Sequence, residues 1–167
     1  VFRSVTSYFN SSSFGKLHLR GEVMDWYHSG YSTRDLINDK KLVNDIAKSA
    51  IKYYKNQGVD LSKFNTDNDK YIDGIAFIYA ARYQKKDTAL WAYQSSIPSY
   101  TASELENDNN LARTYLWASY YYMNSEEDFA KVDAHTYIHE TGHLLGLSDY
   151  YSQDVGQIFK PLGGMDM

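Results

Sequence analysis

Apolar positions along this chain fall into two rhythms, and the changes of rhythm mark out its elements. Leu36, Val43, Ile46, Ala47, Ala50, Ile51 and Tyr54 recur mostly at helical spacing. They predict one long helix, capped by Ser32 or Thr33 and stopped by Gly58. Upstream, Leu17-His18-Leu19-Arg20-Gly21-Glu22-Val23 alternates and reads as a strand. Downstream, the β-branched run Ile72 to Tyr79 is long enough for one buried strand. Leu90 to Ser95 is a second candidate, and Ala112 to Met123, rich in Tyr and Trp, is a third. Residues 98–110 are polar and read as loop. Glu126 to Leu145 predicts a second long helix, ended by Gly146. The order of strand, helix, two or three strands and helix predicts an α/β or α+β arrangement, with a helix behind a sheet. There is no internal repeat and no low-complexity linker, so the chain reads as one domain over residues 1–167.

Composition removes several classes of function. Lys and Arg number 17 against 21 Asp and Glu, a net charge of −4, which excludes a broadly basic nucleic-acid binder. No apolar stretch approaches the length of a membrane-spanning helix. Cysteine is absent, so disulfide scaffolds, thiol catalysis and Cys-ligated metals are excluded. Tyrosine is abundant, with 17 residues, and is read as packing and half-wet surface rather than a carbohydrate platform. Val1 is not an initiator Met, and the run Pro161 to Met167 reads as a loop entering further chain. The expectation is a processed or truncated piece of a larger secreted protein, incomplete at both ends.

The segment with the most chemistry is His139-Glu140-Thr141-Gly142-His143, an H-E-x-x-H match late in the second predicted helix. Residues four apart lie on one helical face, so both imidazoles can address a single metal ion. Glu140, next to His139, can act as proton acceptor without being a ligand. A catalytic zinc generally takes three protein ligands and keeps one open position. Gly146 can adopt the left-handed conformation that ends the helix, which swings Asp149 back toward the metal as third ligand. In a chain of this composition H-E-x-x-H arises by chance with a frequency of about 0.5%, and the added Gly and Asp reduce that to roughly 3 in 100,000. An ordinary surface helix with two spare histidines is therefore a poor account. His135 lies a turn upstream and reads as a packing histidine or one supporting the ligands, and His18 and His28 have no ligand spacing.

A second oxygen-rich segment runs from Asn65 to Asp73. Asn65, Asp67, Asp69 and Asp73 place side-chain oxygens in the alternating rhythm of calcium loops. Lys70 stands where such a loop prefers Gly, and Ala76 where it carries Glu, so the match to an EF-hand is partial. A structural calcium ion and a solvated acidic turn are both open readings.

The stretch "HETGHLLGLSDYY", followed by "PLGGMDM", resembles the immune inhibitor A family of secreted bacterial zinc metallopeptidases. "SSFGKLHLRGEV", "DNDKYIDGIAFIYAA" and "LWASYYYM" are similar to other parts of that family's catalytic domain, so the resemblance covers most of the chain in patches. It implies an α+β, metzincin-like (zincin-like) architecture: a twisted mixed sheet, a backing helix and an active-site helix. It also implies a methionine-bearing turn under the zinc, placed at Met167 or just beyond it, and an earlier sheet edge before Val1. The activity expected is zinc-dependent endopeptidase, extracellular, acting on protein or peptide. Zinc is held by His139, His143 and Asp149, and Glu140 is the general base. The alternative from a different class is a non-catalytic, metal-stabilised extracellular binding module, with Glu140 as the residue that separates the two. Oligomeric state is not legible.

Overall fold

The computed structural model describes residues 4–85, 88–124 and 132–149. Within them the chain forms five α-helices and three strands, an α+β domain around a three-stranded mixed sheet. The helices are α1 (Val5–Ser12), α2 (Thr33–Asn38), α3 (Leu42–Asn56), α4 (Ala102–Asn107) and α5 (His135–Leu144). The strands are β1 (Ile75–Tyr79), β2 (Tyr93–Ser96) and β3 (Thr114–Ser119), in the order β1-β3-β2. β1 runs parallel to β3 and β2 antiparallel to it, so Trp117 of β3 sits level with Phe77 on one side and Tyr93 on the other.

Side chains alternate across β3, and each face receives a helix. Tyr115 and Trp117 join Val43, Ile46, Ala47 and Ile51 of α3 in the main core, and the Tyr115 hydroxyl donates to Asn44 Oδ1 at 2.9 Å. Leu116 and Ala118 face the other way, onto Tyr137 and Leu144 of α5. This α3–sheet–α5 sandwich is what carries α5 and holds its outer face toward solvent. The Tyr137 hydroxyl donates to the Ser119 carbonyl at 2.5 Å, fixing α5 to the end of β3. α1 adds a third contact, packing Phe9 against Ile138.

The sequence pattern differs from the structure at six places. The single helix expected from Thr33 to Gly58 is two, broken at Asp39. Asp39 is extended and its Oδ1 accepts from the Lys41 amide, a local bond that competes with the helical ladder. The expected cap holds, with Ser32 and Asp35 closing a capping box, and Gly58 lies just past α3 at φ +81°. The alternating run 17–23 forms no strand: Leu17 and Leu19 pack against the Phe9 and Ile138 cluster without a ladder partner, and Val23 is fully exposed. The polar stretch 98–110 contains α4, which buries none of its residues and forms on a Thr101–Glu104 capping box. The last predicted helix begins at His135, not Glu126, because Asp133 donates its amide to the Met123 carbonyl and Val132 bridges Asn124. Residues 125–131 lie outside the described residues. α1 was not anticipated, and β1, β2 and β3 are shorter than the runs that predicted them, with β3 passing into a 3-10 turn over Tyr120–Met123.

Candidate metal centre

α5 presents His139 and His143 on one face, with the rings 4.6 Å apart and nearly perpendicular. Their Nε2 atoms are 3.1 Å apart, and each lies 3.3 Å from Asp149 Oδ1. Three ligand atoms from His139, His143 and Asp149 therefore converge. Tetrahedral ligands about 2.05 Å from a zinc ion stand about 3.3 Å from each other, so this triangle has the edge lengths of three corners of such a site.

The end of α5 explains why Asp149 arrives there. Gly146 takes φ +85°, its amide donates to the His143 carbonyl at 3.0 Å, and the Leu147 amide donates to the Gly142 carbonyl at 3.0 Å. These two bonds form a Schellman cap, which reverses the chain and returns it along the helix. The returning carbonyl of Leu147 lies 2.8 Å from His143 Nδ1. A backbone oxygen can only accept, so Nδ1 carries the proton and Nε2 presents a lone pair to the centre. Asp149 Oδ1 is buried and has no hydrogen-bond partner. Two imidazole nitrogens and a carboxylate oxygen this close repel unless a cation or a shared proton lies between them. A divalent cation satisfies all three atoms at once, and the donor set of two nitrogens and one oxygen suits zinc.

Glu140, on the same helix, is buried close to these three side chains. It is one of two buried polar or charged residues among those described, at 5% exposure. Burial is the largest influence on its carboxyl and raises its pKa above the usual carboxylate range. His139 and His143 pull it back down, and the nearby backbone amide of Gln94 in β2 adds a smaller pull in the same direction. The sequence reading of His139, Glu140, His143 and Asp149 as one constellation thus corresponds to one place in the fold. The same reading missed the neighbours of that constellation, the Leu147 carbonyl and the Gln94 backbone, because backbone groups and tertiary neighbours leave no trace in residue spacing.

The acidic segment is arranged differently. Asp67 Oδ1 accepts from the Asp69 amide, Asp69 Oδ1 from the Tyr71 amide, and Asp73 from the amide and hydroxyl of Thr66. Asn65 donates to Asn110 Oδ1, and its own Oδ1 is buried without a partner. Asp67, Asp69 and Asp73 line one shallow pocket, with Arg113 beside Asp69. Their oxygens do not draw together as the His139, His143 and Asp149 atoms do. Tyr150, Tyr151 and the run 161–167, with the expected methionine turn, lie outside the described residues. No helix among the described residues is long and apolar enough to cross a membrane. No family model matches the chain, and neither a curated protein nor a solved structure with significant similarity was found.

Proposed function

We propose that this chain is the catalytic domain of a secreted zinc endopeptidase of the immune inhibitor A type, with a metzincin-like fold. The observation that carries the reading is the convergence of His139 Nε2, His143 Nε2 and Asp149 Oδ1 beside a buried glutamate that is not among the converging atoms. The resemblance of "HETGHLLGLSDYY" to that family supports it. The same donor set also serves ferrous iron, but a carboxylate base packed next to the centre is what hydrolysis requires.

In this reading His139, His143 and Asp149 bind the ion, and Leu147 holds the His143 ring in the ligating tautomer. Zinc bound there supplies Lewis-acid polarisation of the scissile carbonyl and makes nearby water more acidic. Glu140 accepts a proton from the attacking water as its oxygen bonds to the carbonyl carbon. It then delivers that proton to the amide nitrogen as the carbon–nitrogen bond breaks. A carboxyl with raised proton affinity suits both halves of this exchange, since it must take a proton and give it up. Calcium in the Asn65, Asp67, Asp69 and Asp73 loop belongs to the same proposal as a structural ion. Its support is the partnerless Asn65 oxygen, and its test is a calcium-dependent rise in melting temperature that Asp67→Ala removes.

The deciding experiment measures casein cleavage and zinc content together. Glu140→Ala is expected to abolish cleavage with about one zinc per chain retained, and His143→Ala to lose both. Full activity in Glu140→Ala rejects the mechanism. Bound zinc with no hydrolysis of any peptide by the wild type favours a non-catalytic, metal-stabilised module.

A further inference from the structure

Three aromatic rings that the zinc chemistry does not use form one cluster, which reaches the neighbourhood of Glu140 through Tyr122. Tyr83 and Tyr122 stack with centroids 4.4 Å apart and planes 13° from parallel. Trp91 meets both edge-on, at 6.5 Å and 6.2 Å. Tyr122 and Met123 pack on the same cluster as Tyr137 and Leu144 of α5, and Tyr137 lies one turn before Glu140 on that helix. Trp91 lies three residues before Gln94, whose backbone amide is near Glu140, so about 10 Å of chain separates the Trp91 backbone from that amide.

We propose that Trp91, Tyr83 and Tyr122 form the wall of a substrate subsite that takes a large aromatic or branched apolar side chain flanking the scissile bond. Purely structural packing would bury such a cluster, as it buries the neighbours Leu90 and Ala92. Trp91 instead keeps 37% of its surface in solvent. The edge contacts lock that exposed ring, so it offers apolar area with little ordering left to lose on binding. The Tyr122 hydroxyl is buried and lies against the Ala92 amide, short of a hydrogen bond, so this ring does not turn its polar group outward against an apolar guest. A ring inserted against Trp91 gains a second edge-to-face or stacked contact. A small or charged side chain gains neither.

This inference rests on the peptidase reading, and a binding measurement keeps the two separable. Zinc-loaded Glu140→Ala protein is titrated calorimetrically with two peptides that differ at one position, Phe against Ala. The Phe peptide is expected to bind about 10-fold tighter, the scale on which an apolar pocket discriminates. Adding Trp91→Ala is expected to equalise the two, and Trp91→Phe to keep part of the preference. If Trp91→Ala does not fold, Trp91→Leu, which keeps volume without a ring, reads the same effect. In wild-type protein, cleavage sites in a mixed peptide library are expected beside Phe, Tyr, Trp or Leu. Equal binding of the two peptides, or a preference unchanged by the Trp91 substitutions, overturns the wall. A Trp91-dependent preference with no cleavage by the wild type leaves the wall standing and rejects the peptidase reading instead.

Discussion

His143 Nδ1 lies 2.8 Å from the carbonyl oxygen of Leu147, a residue beyond the end of the helix that carries the histidine. The Nε2 side of the ring and the chain that brings Asp149 are therefore fixed by one bend, and that bend needs Gly146 at φ +85°. A Cβ at Gly146 would meet nothing within 4 Å, so steric collision is not the difficulty. The difficulty is the left-handed backbone, which costs an L-residue about 1–2 kcal/mol. Gly146→Ala is expected to lower the melting temperature by about 2–4 °C per kcal/mol lost. It is also expected to weaken zinc binding by about 10-fold in chelator competition, because Leu147 and Asp149 move together. Zinc affinity unchanged beside a lowered melting temperature would detach the cap from the site.

Glu140 exposes a trade between stability and chemistry. Its carboxyl is buried, and burial opposes its charge. Glu140→Gln removes that charge while keeping the side chain's size and an acceptor oxygen. Zinc-free protein at neutral pH is expected to melt higher as Glu140→Gln than as wild type, by about 2–4 °C for each kcal/mol of relief. Differential scanning calorimetry in excess chelator reads this directly. A lower melting temperature for the variant means that the charge is compensated in the fold by more than the histidines and the Gln94 amide.

How much of this was legible beforehand follows from how each element is held. α3 and β3 were visible because their burial is periodic: Val43, Ile46, Ala47, Ala50 and Ile51 on one face, and alternating sides of 115–118. The His139, His143 and Asp149 group was legible because a single helix and a single glycine position it. α4 left almost no apolar signal, since it buries nothing and is held by its cap and by the Lys48–Glu104 ion pair at 3.2 Å. Asp39 broke a helix that apolar spacing alone joins, and Leu17 and Leu19 used a strand-like alternation to pack against helices. The aromatic wall joins Tyr83, Trp91 and Tyr122 from three separate segments, so only the fold reveals it.

Tyr137 ties α5 to the sheet through its hydrogen bond to the Ser119 carbonyl. The hydroxyl is buried, and burial pushes its pKa well above the ordinary tyrosine value, so it stays a donor across the accessible pH range. Tyr137→Phe leaves that carbonyl short of a partner and is expected to cost about 1–2 kcal/mol, or about 2–8 °C in melting temperature. Because the ring itself still packs on Leu116 and Ala118, zinc stoichiometry is expected to stay near one. Loss of zinc in Tyr137→Phe would mean that the bond sets the helix position and not only its stability.

Three exposed carboxylates tie the chain to acid sensitivity. Asp35 accepts from the hydroxyl and amide of Ser32, Asp60 from those of Ser62, and Glu104 from the Thr101 amide, with Lys48 alongside. In each case hydrogen bonds to the charged form hold the folded carboxyl below its ordinary value of 3.8 for aspartate or 4.5 for glutamate. The unfolded chain then takes up protons first as pH falls. The stabilisation is fully present above those ordinary values and disappears as pH drops through the lower folded ones. The triple variant Asp35→Asn, Asp60→Asn and Glu104→Gln is expected to start with a lower melting temperature at pH 6. It is expected to lose less than wild type between pH 5 and pH 3. Both proteins are scanned in excess chelator, so that release of a metal does not contribute to either curve. Parallel curves would show that these caps carry no part of the acid response, and that it arises in other carboxylates.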